Sequence, residues 1–132
     1  MRTALVAIGR MENRYAREWV EHHYEVGFNH IYILDNNRTG EEHFEDVLQD
    51  YIDMKYVTVW NFRDKVGKQK FAYSHAYALM GWNYDWVAFF DFDEFLVMQN
   101  GESMKEMLEK ATANVVLVNW KCYGDNDLVK YD

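Results

Sequence analysis

A mostly parallel α/β sheet covered by helices on both faces is the fold class that the sequence predicts, on three observations. Short apolar runs ("TALVAIG", "HIYILD", "YVTVW", "WVAFF") alternate with segments that carry helical periodicity. The runs are apolar almost throughout, as strands buried on both faces of a sheet require. The segments between them are long enough for a crossover helix, so each pair of runs reads as a βαβ unit. With 132 residues, 49% hydrophobic and 17% aromatic, the chain can bury one core, and a single domain over residues 1–132 is expected.

The elements follow in order. Residues 3–9 form a first strand closed by Gly9. Asn13 is a good N-cap for a helix that places Tyr15, Trp19, His23 and Val26 on one face and stops at Gly27. "HIYILDNN" is a second strand ending in turn residues. Thr39 and Glu42 then make a T-x-x-E capping box ahead of Phe44, Val47, Leu48 and Tyr51. "YVTVWNF" is a third strand. A helix over about residues 69–80 brings Ala72, Ala76 and Leu79 close to the sheet, and its His75, like His23, reads as a packed core histidine. "WVAFF" is a fourth strand, expected at the centre of the sheet. Ser103 and Glu106 form a second capping box, and "NVVLVNW" is a fifth strand.

Composition excludes several functions. A net charge of -8 argues against non-specific binding to nucleic acid or to an anionic membrane. The single cysteine, Cys122, excludes an intramolecular disulfide and a multi-cysteine zinc site, and reads as a buried thiol in a reducing compartment. No run approaches the roughly 18 apolar residues of a membrane span, and the N-terminal apolar stretch is too short for a signal peptide. A cytoplasmic location is the default expectation.

In open parallel sheets, ligands bind in the crevice beyond the carboxyl ends of the strands. Polar residues gather at those ends: Gly9 to Asn13, Asp35 to Arg38, Asn61 to Lys65, and Asp91 to Glu94. The last group, in "WVAFFDFDEFLV", sets three carboxylates in four positions after an apolar strand. In an extended segment Asp91 and Asp93 share one side, with Phe92 and Glu94 facing elsewhere. Two ionised carboxylates held together repel, and a hard divalent cation relieves the repulsion. Magnesium or manganese completes such a shell with water and phosphate oxygens. A calcium loop of the EF-hand kind is excluded, because its glycine position holds Leu96. A haloacid-dehalogenase-like phosphohydrolase shares the D-x-D signature, but there the motif closes the first strand of the core.

The blocks "GRMENRYAREWVEHHYEVGFNHIYILDNNRTGEE", "KQKFAYSHAYALM", "WVAFFDFDEFLV" and "VNWKCYG" together resemble the GT-A fold nucleotide-sugar glycosyltransferases, in particular a family-2-like group. The resemblance implies a Rossmann-like nucleotide-diphospho-sugar transferase fold. Domains of that kind are longer than this chain, so it also implies one incomplete at its C-terminal end. It assigns Asp91 and Asp93 to a Mn2+ or Mg2+ ion and the donor diphosphate, Asp35 to the base or ribose, and Glu12 to the border of the nucleotide pocket. Gln69 and Tyr73 match a region lining the donor site. The family's asparagine before Glu12 is replaced by Met11, which removes the contacts of that amide.

The activity so implied is transfer of a sugar from a UDP- or GDP-type donor to a hydroxyl of a glycan or lipid-linked acceptor. The general base is not identified; Asp125, with Asp127, lies where it would border the acceptor. Arg10 and Lys68 carry charge that a diphosphate could use, but each reads first as a solvated basic side chain. A non-catalytic α/β fragment or association module, prone to self-association, is the alternative.

Overall fold

The computed structural model describes residues 1–65, 69–116 and 118. Four strands, β1 (Thr3–Gly9), β2 (His30–Asp35), β3 (Val57–Asn61) and β4 (Trp86–Phe89), form an all-parallel sheet in the order β3-β2-β1-β4. Among the described residues four α-helices accompany them: α1 (Asn13–Val26), α2 (Glu45–Asp53), α3 (Gln69–Met80) and α4 (Met104–Lys110). The expected α/β class is therefore found, and the bounds of β1, α1 and α3 fall where the sequence places them.

Period-two alternation explains how one apolar run serves two cores. Leu5, Ala7, Ile31 and Ile33 turn to the side of α1, α2 and α4, where Trp19, Val20, Phe44 and Leu48 meet them. Ala4, Val6 and Leu34 turn to the other side, against Ala72, Ala76 and Met80 of α3. Leu5, Ile31 and Ile33 are fully buried, each contributing about 1.5–3 kcal/mol relative to exposure. The i, i+4, i+8 spacing of Ala72, Ala76 and Met80 lets α3 lie close to the sheet.

α1 ends as expected. Gly27 takes a left-handed conformation (φ 115°), and the N–H groups of Gly27 and Phe28 both donate to the His23 carbonyl. α4 begins with Ser103 accepting from the Glu106 N–H at 3.1 Å, one half of the expected box.

Several local expectations are corrected. The Thr39 box does not cap α2, which starts only at Glu45. Thr39 Oγ1 instead donates to Asp64, and Glu42 accepts from the Asn13 N–H. Asn13 is the first helical residue of α1, not its cap, and its amide donates to the His43 carbonyl. Leu79 and His75 are exposed on α3; His75 lies beside Phe71 and Phe62, outside the core. Among the described residues β4 is an edge strand paired only with β1, not a central one. Of the expected fifth strand over residues 114–120, 114–116 and 118 are not in a strand, and the rest lies outside the described residues, as does Cys122.

Candidate functional site

Among the described residues the strand order creates one topological switch point. From β1 the chain moves outward through β2 and β3, then crosses back to place β4 on the other side of β1. β1 and β4 are neighbours at this reversal, and the crevice beyond their carboxyl ends is the expected ligand site of such a sheet. Glu12 follows β1, and Asp91 to Glu94 follow β4, so both groups of carboxylates flank this point.

The segment after β4 is a turn, which corrects the extended geometry expected for it. The Phe90 N–H still donates to the Val6 carbonyl, but beyond it the Glu94 N–H closes onto the Asp91 carbonyl at 3.0 Å. Glu94 folds back so that its carboxylate accepts from the Asp91 N–H at 2.7 Å. The third carboxylate of the motif is thus spent on the turn itself. Phe92 is buried between Trp19 and Phe44, with ring centroids 4.6 and 5.3 Å away, while Asp91 and Asp93 stand exposed. The separation of Phe92 from the two aspartates is the expected one, produced by a turn in place of a strand.

α1 holds this turn from below. The Trp19 indole N–H is shared between the Asp91 and Glu94 carbonyls, at 3.0 and 2.9 Å. Gly9 leaves room for Phe92: a Cβ there would lie 2.6 Å from the ring. Gly9→Ala is expected to cost about 1–3 kcal/mol, because the ring is wedged between two aromatics and cannot yield freely. Chemical denaturation checks this; a loss under about 0.5 kcal/mol would show that Phe92 repacks at little cost.

The electrostatics point one way. Burial, then the charges of Asp93, Asp91 and Glu42, raise the Glu12 carboxyl above its usual range. Burial, then Glu94 and Asp93, raise Asp91. The fold therefore resists full ionisation of this group, and a cation would relieve it. The donors are hard carboxylate oxygens, which suit Mg2+ or Mn2+. No group of three His, Cys, Asp or Glu side chains placed to hold a metal ion is found among the described residues.

Residues 11–131 match glycosyltransferase family 92. The chain belongs to that family. A family 92 glycosyltransferase protein of Ricinus communis is 27% identical over 118 residues, which are 87% of this chain and 21% of the relative. Another, of Oryza sativa subsp. japonica, is 26% identical over 99 residues, 75% of this chain and 17% of the relative. The chain thus spans about a fifth of the length of the curated relatives it matches. No solved structure matches it. The resemblance to glycosyltransferases drawn from the sequence holds, and the family matched is 92.

Within this family 92 chain the remaining candidates are placed as follows. Asp35 is buried, 3% exposed, at the carboxyl end of β2. One oxygen accepts from the backbone and side chain of Asn37, an Asx-turn, and the other accepts from Arg63 at 2.9 Å. Arg63 went unremarked in the sequence. Its guanidinium also donates to the carbonyls of Arg38, Glu41 and Glu42, tying the β2–α2 loop to the end of β3. That loop braces the one carrying Glu12, through Asn37 to the Met11 N–H and Glu41 to Arg10. Arg10 thus has an intramolecular partner. Tyr73 packs against Phe89 of β4, at 4.9 Å between centroids. Gln69 opens α3, but its side chain lies outside the described residues, as do Lys68, Asp125 and Asp127.

His23 is a core histidine, as expected, with a second task. Its Nδ1–H donates to the Trp19 carbonyl at 2.9 Å, and its Nε2 accepts from the Leu96 N–H at 3.1 Å. Burial lowers its pKa from 6.5 to about 4. The neutral form is the folded one, so this stabilisation is full above pH 6.5 and is lost as pH falls towards 4. His23 alone is expected to make the protein about 2 kcal/mol less stable at pH 5 than at pH 7. Urea midpoints at the two pH values, compared with His23→Gln, test it; an equal loss in the variant would move the cause elsewhere.

Proposed function

We propose that this chain forms the donor-binding part of a GT-A type glycosyltransferase, holding a nucleoside-diphosphate sugar of the UDP or GDP type. The observation that carries the reading is the placing of mutually repelling carboxylates, Glu12, Asp91 and Asp93, at the switch point of a parallel sheet. Asp91 and Asp93 would hold Mn2+ or Mg2+, with Asp93 the direct ligand that the family resemblance implies. A divalent ion bound there supplies Lewis-acid stabilisation of charge on the diphosphate leaving group. Glu12 borders the nucleotide from the β1 side. Asp35 is buried and held by Asn37 and Arg63, so its part is to order the loop that braces the Glu12 segment rather than to meet a ribose hydroxyl. The family resemblance would assign Gln69 to the donor side and Asp125 to an acceptor hydroxyl on a glycan or lipid-linked sugar; neither side chain lies within the described residues.

Calorimetric titration of UDP, GDP and their sugar conjugates, with and without Mn2+, tests this reading. Binding of one base series that requires the metal is the expected result. Absence of binding with Mn2+ present, or binding indifferent to it, would sink the metal-diphosphate assignment.

A second reading, self-association, is favoured by one observation. Phe71, Tyr77, Leu79 and Trp82 are 60%, 56%, 54% and 82% exposed along α3 and the turn after it. Sedimentation velocity should then show a coefficient that rises with protein concentration and falls back in Phe71→Ser plus Trp82→Ser. A constant coefficient rejects this reading.

A further inference from the structure

We infer that Trp19, His22 and His23 of α1 are positioning residues for the carboxylate turn, setting where Asp91 and Asp93 stand without touching a ligand themselves. The inference rests on the reading of those two aspartates as the metal and diphosphate pair.

The turn has no strand neighbour to hold it: its own bonds close residues 91 to 94 on each other but do not fix them to the sheet. The hydrogen bonds that fix them come from one helix, beside the packing of Phe92 on Phe44 and Gly9. Trp19 gives its indole N–H to two carbonyls of the turn. Two adjacent histidines then grip one peptide residue from both sides. Leu96 donates its N–H to His23 Nε2 at 3.1 Å, and its carbonyl receives His22 Nε2 at 2.7 Å.

The partners dictate the tautomers. A carbonyl cannot donate, so His22 carries its proton on Nε2. An N–H cannot accept, so His23 presents a bare Nε2 and carries its proton on Nδ1, where the Trp19 carbonyl receives it. Trp19 and His23 are thereby linked to each other as well as to the turn. Every one of these contacts to the 91–96 segment is made to backbone, which leaves the side chains of Asp91 and Asp93 unoccupied and oriented. A helix that only filled a core would have no need to spend three polar side chains on one loop.

His22 is only partly buried, so substitutions there keep the fold. In His22→Leu the donor to Leu96 is lost; in His22→Gln the side-chain amide replaces it. Mn2+-dependent UDP affinity should fall at least about 10-fold in His22→Leu, as for outer groups that orient metal ligands, with an unchanged thermal midpoint, and recover to within about twofold in His22→Gln. Trp19→Phe, which keeps an aromatic ring but no N–H, should lose at least as much. Affinities within twofold of the wild type in both His22→Leu and Trp19→Phe would overturn the inference.

Amide exchange at Glu94 and Leu96 separates this outcome from failure of the donor-site reading. If the wild type binds no Mn2+-UDP, that reading fails by itself. Faster exchange at these two amides in His22→Leu, restored in His22→Gln, would still support positioning of the turn, and unchanged exchange would reject it.

Discussion

Arg63→Ala should cost about 3–5 kcal/mol of folding stability, the range for removing one partner of a buried ion pair. Asp35 is 3% exposed, and the substitution strands its charge with no route to solvent. It also removes the Arg63 donor from the carbonyls of Glu41 and Glu42, while the Arg38 carbonyl keeps the Glu41 N–H. Arg63→Lys should recover little, because one ammonium cannot span the positions that a planar fork reaches. Urea denaturation measures both. The double change Asp35→Asn with Arg63→Met should be milder than Arg63→Ala alone, since no uncompensated charge remains. A loss under 1 kcal/mol for Arg63→Ala would mean that water reaches Asp35 readily. Because this loop braces Met11 and Arg10, Glu12 should also become more mobile.

Asp91→Asn with Asp93→Asn should abolish metal-dependent nucleotide binding, lowering affinity by at least about 100-fold, the upper range for losses at a metal centre. The apoprotein should be no less stable, and slightly more so at neutral pH. The sign follows from the raised pKa of Asp91 and Glu12: ionisation is harder in the folded state than in the unfolded one. Stability therefore falls as pH rises through their titration, and removing charge lifts that cost. Thermal unfolding with and without Mn2+ reads both halves. The wild type should gain stability with the ion, and the variant should not. A variant that unfolds far below the wild type without metal would make these aspartates structural.

The sheet was legible because burial on both faces leaves long apolar runs, and α1 because Gly27 stops it with a conformation that few other residues adopt easily. The start of α2 was not, because a local capping pattern competes with partners distant in sequence. Asp64 took Thr39, and Asn13 took Glu42. β4 reads as central from composition alone, yet edge or centre is a property of strand order, which no single run encodes.

The site was half legible. Asp91, Asp93 and Glu12 stand at strand ends, and the rule for parallel sheets finds them. Glu94 capping its own turn, and the grip of Trp19, His22 and His23 on backbone, leave no pattern in the 91–96 segment that they hold. The signal available was on the helix: one tryptophan and two histidines at positions i, i+3 and i+4. Arg63 was hidden for a similar reason, since most of its partners are carbonyls, which every residue has.

The most direct measurement is electron paramagnetic resonance of Mn2+ titrated with the protein in the presence of UDP. If Asp91 and Asp93 hold a metal-bound diphosphate, the six-line signal of the free ion should fall in proportion to wild-type protein, beyond what UDP alone removes. It should stay at the UDP-only level with the double asparagine variant. A signal untouched by the wild type, or reduced equally by the variant, would contradict the assignment of these carboxylates to the ion.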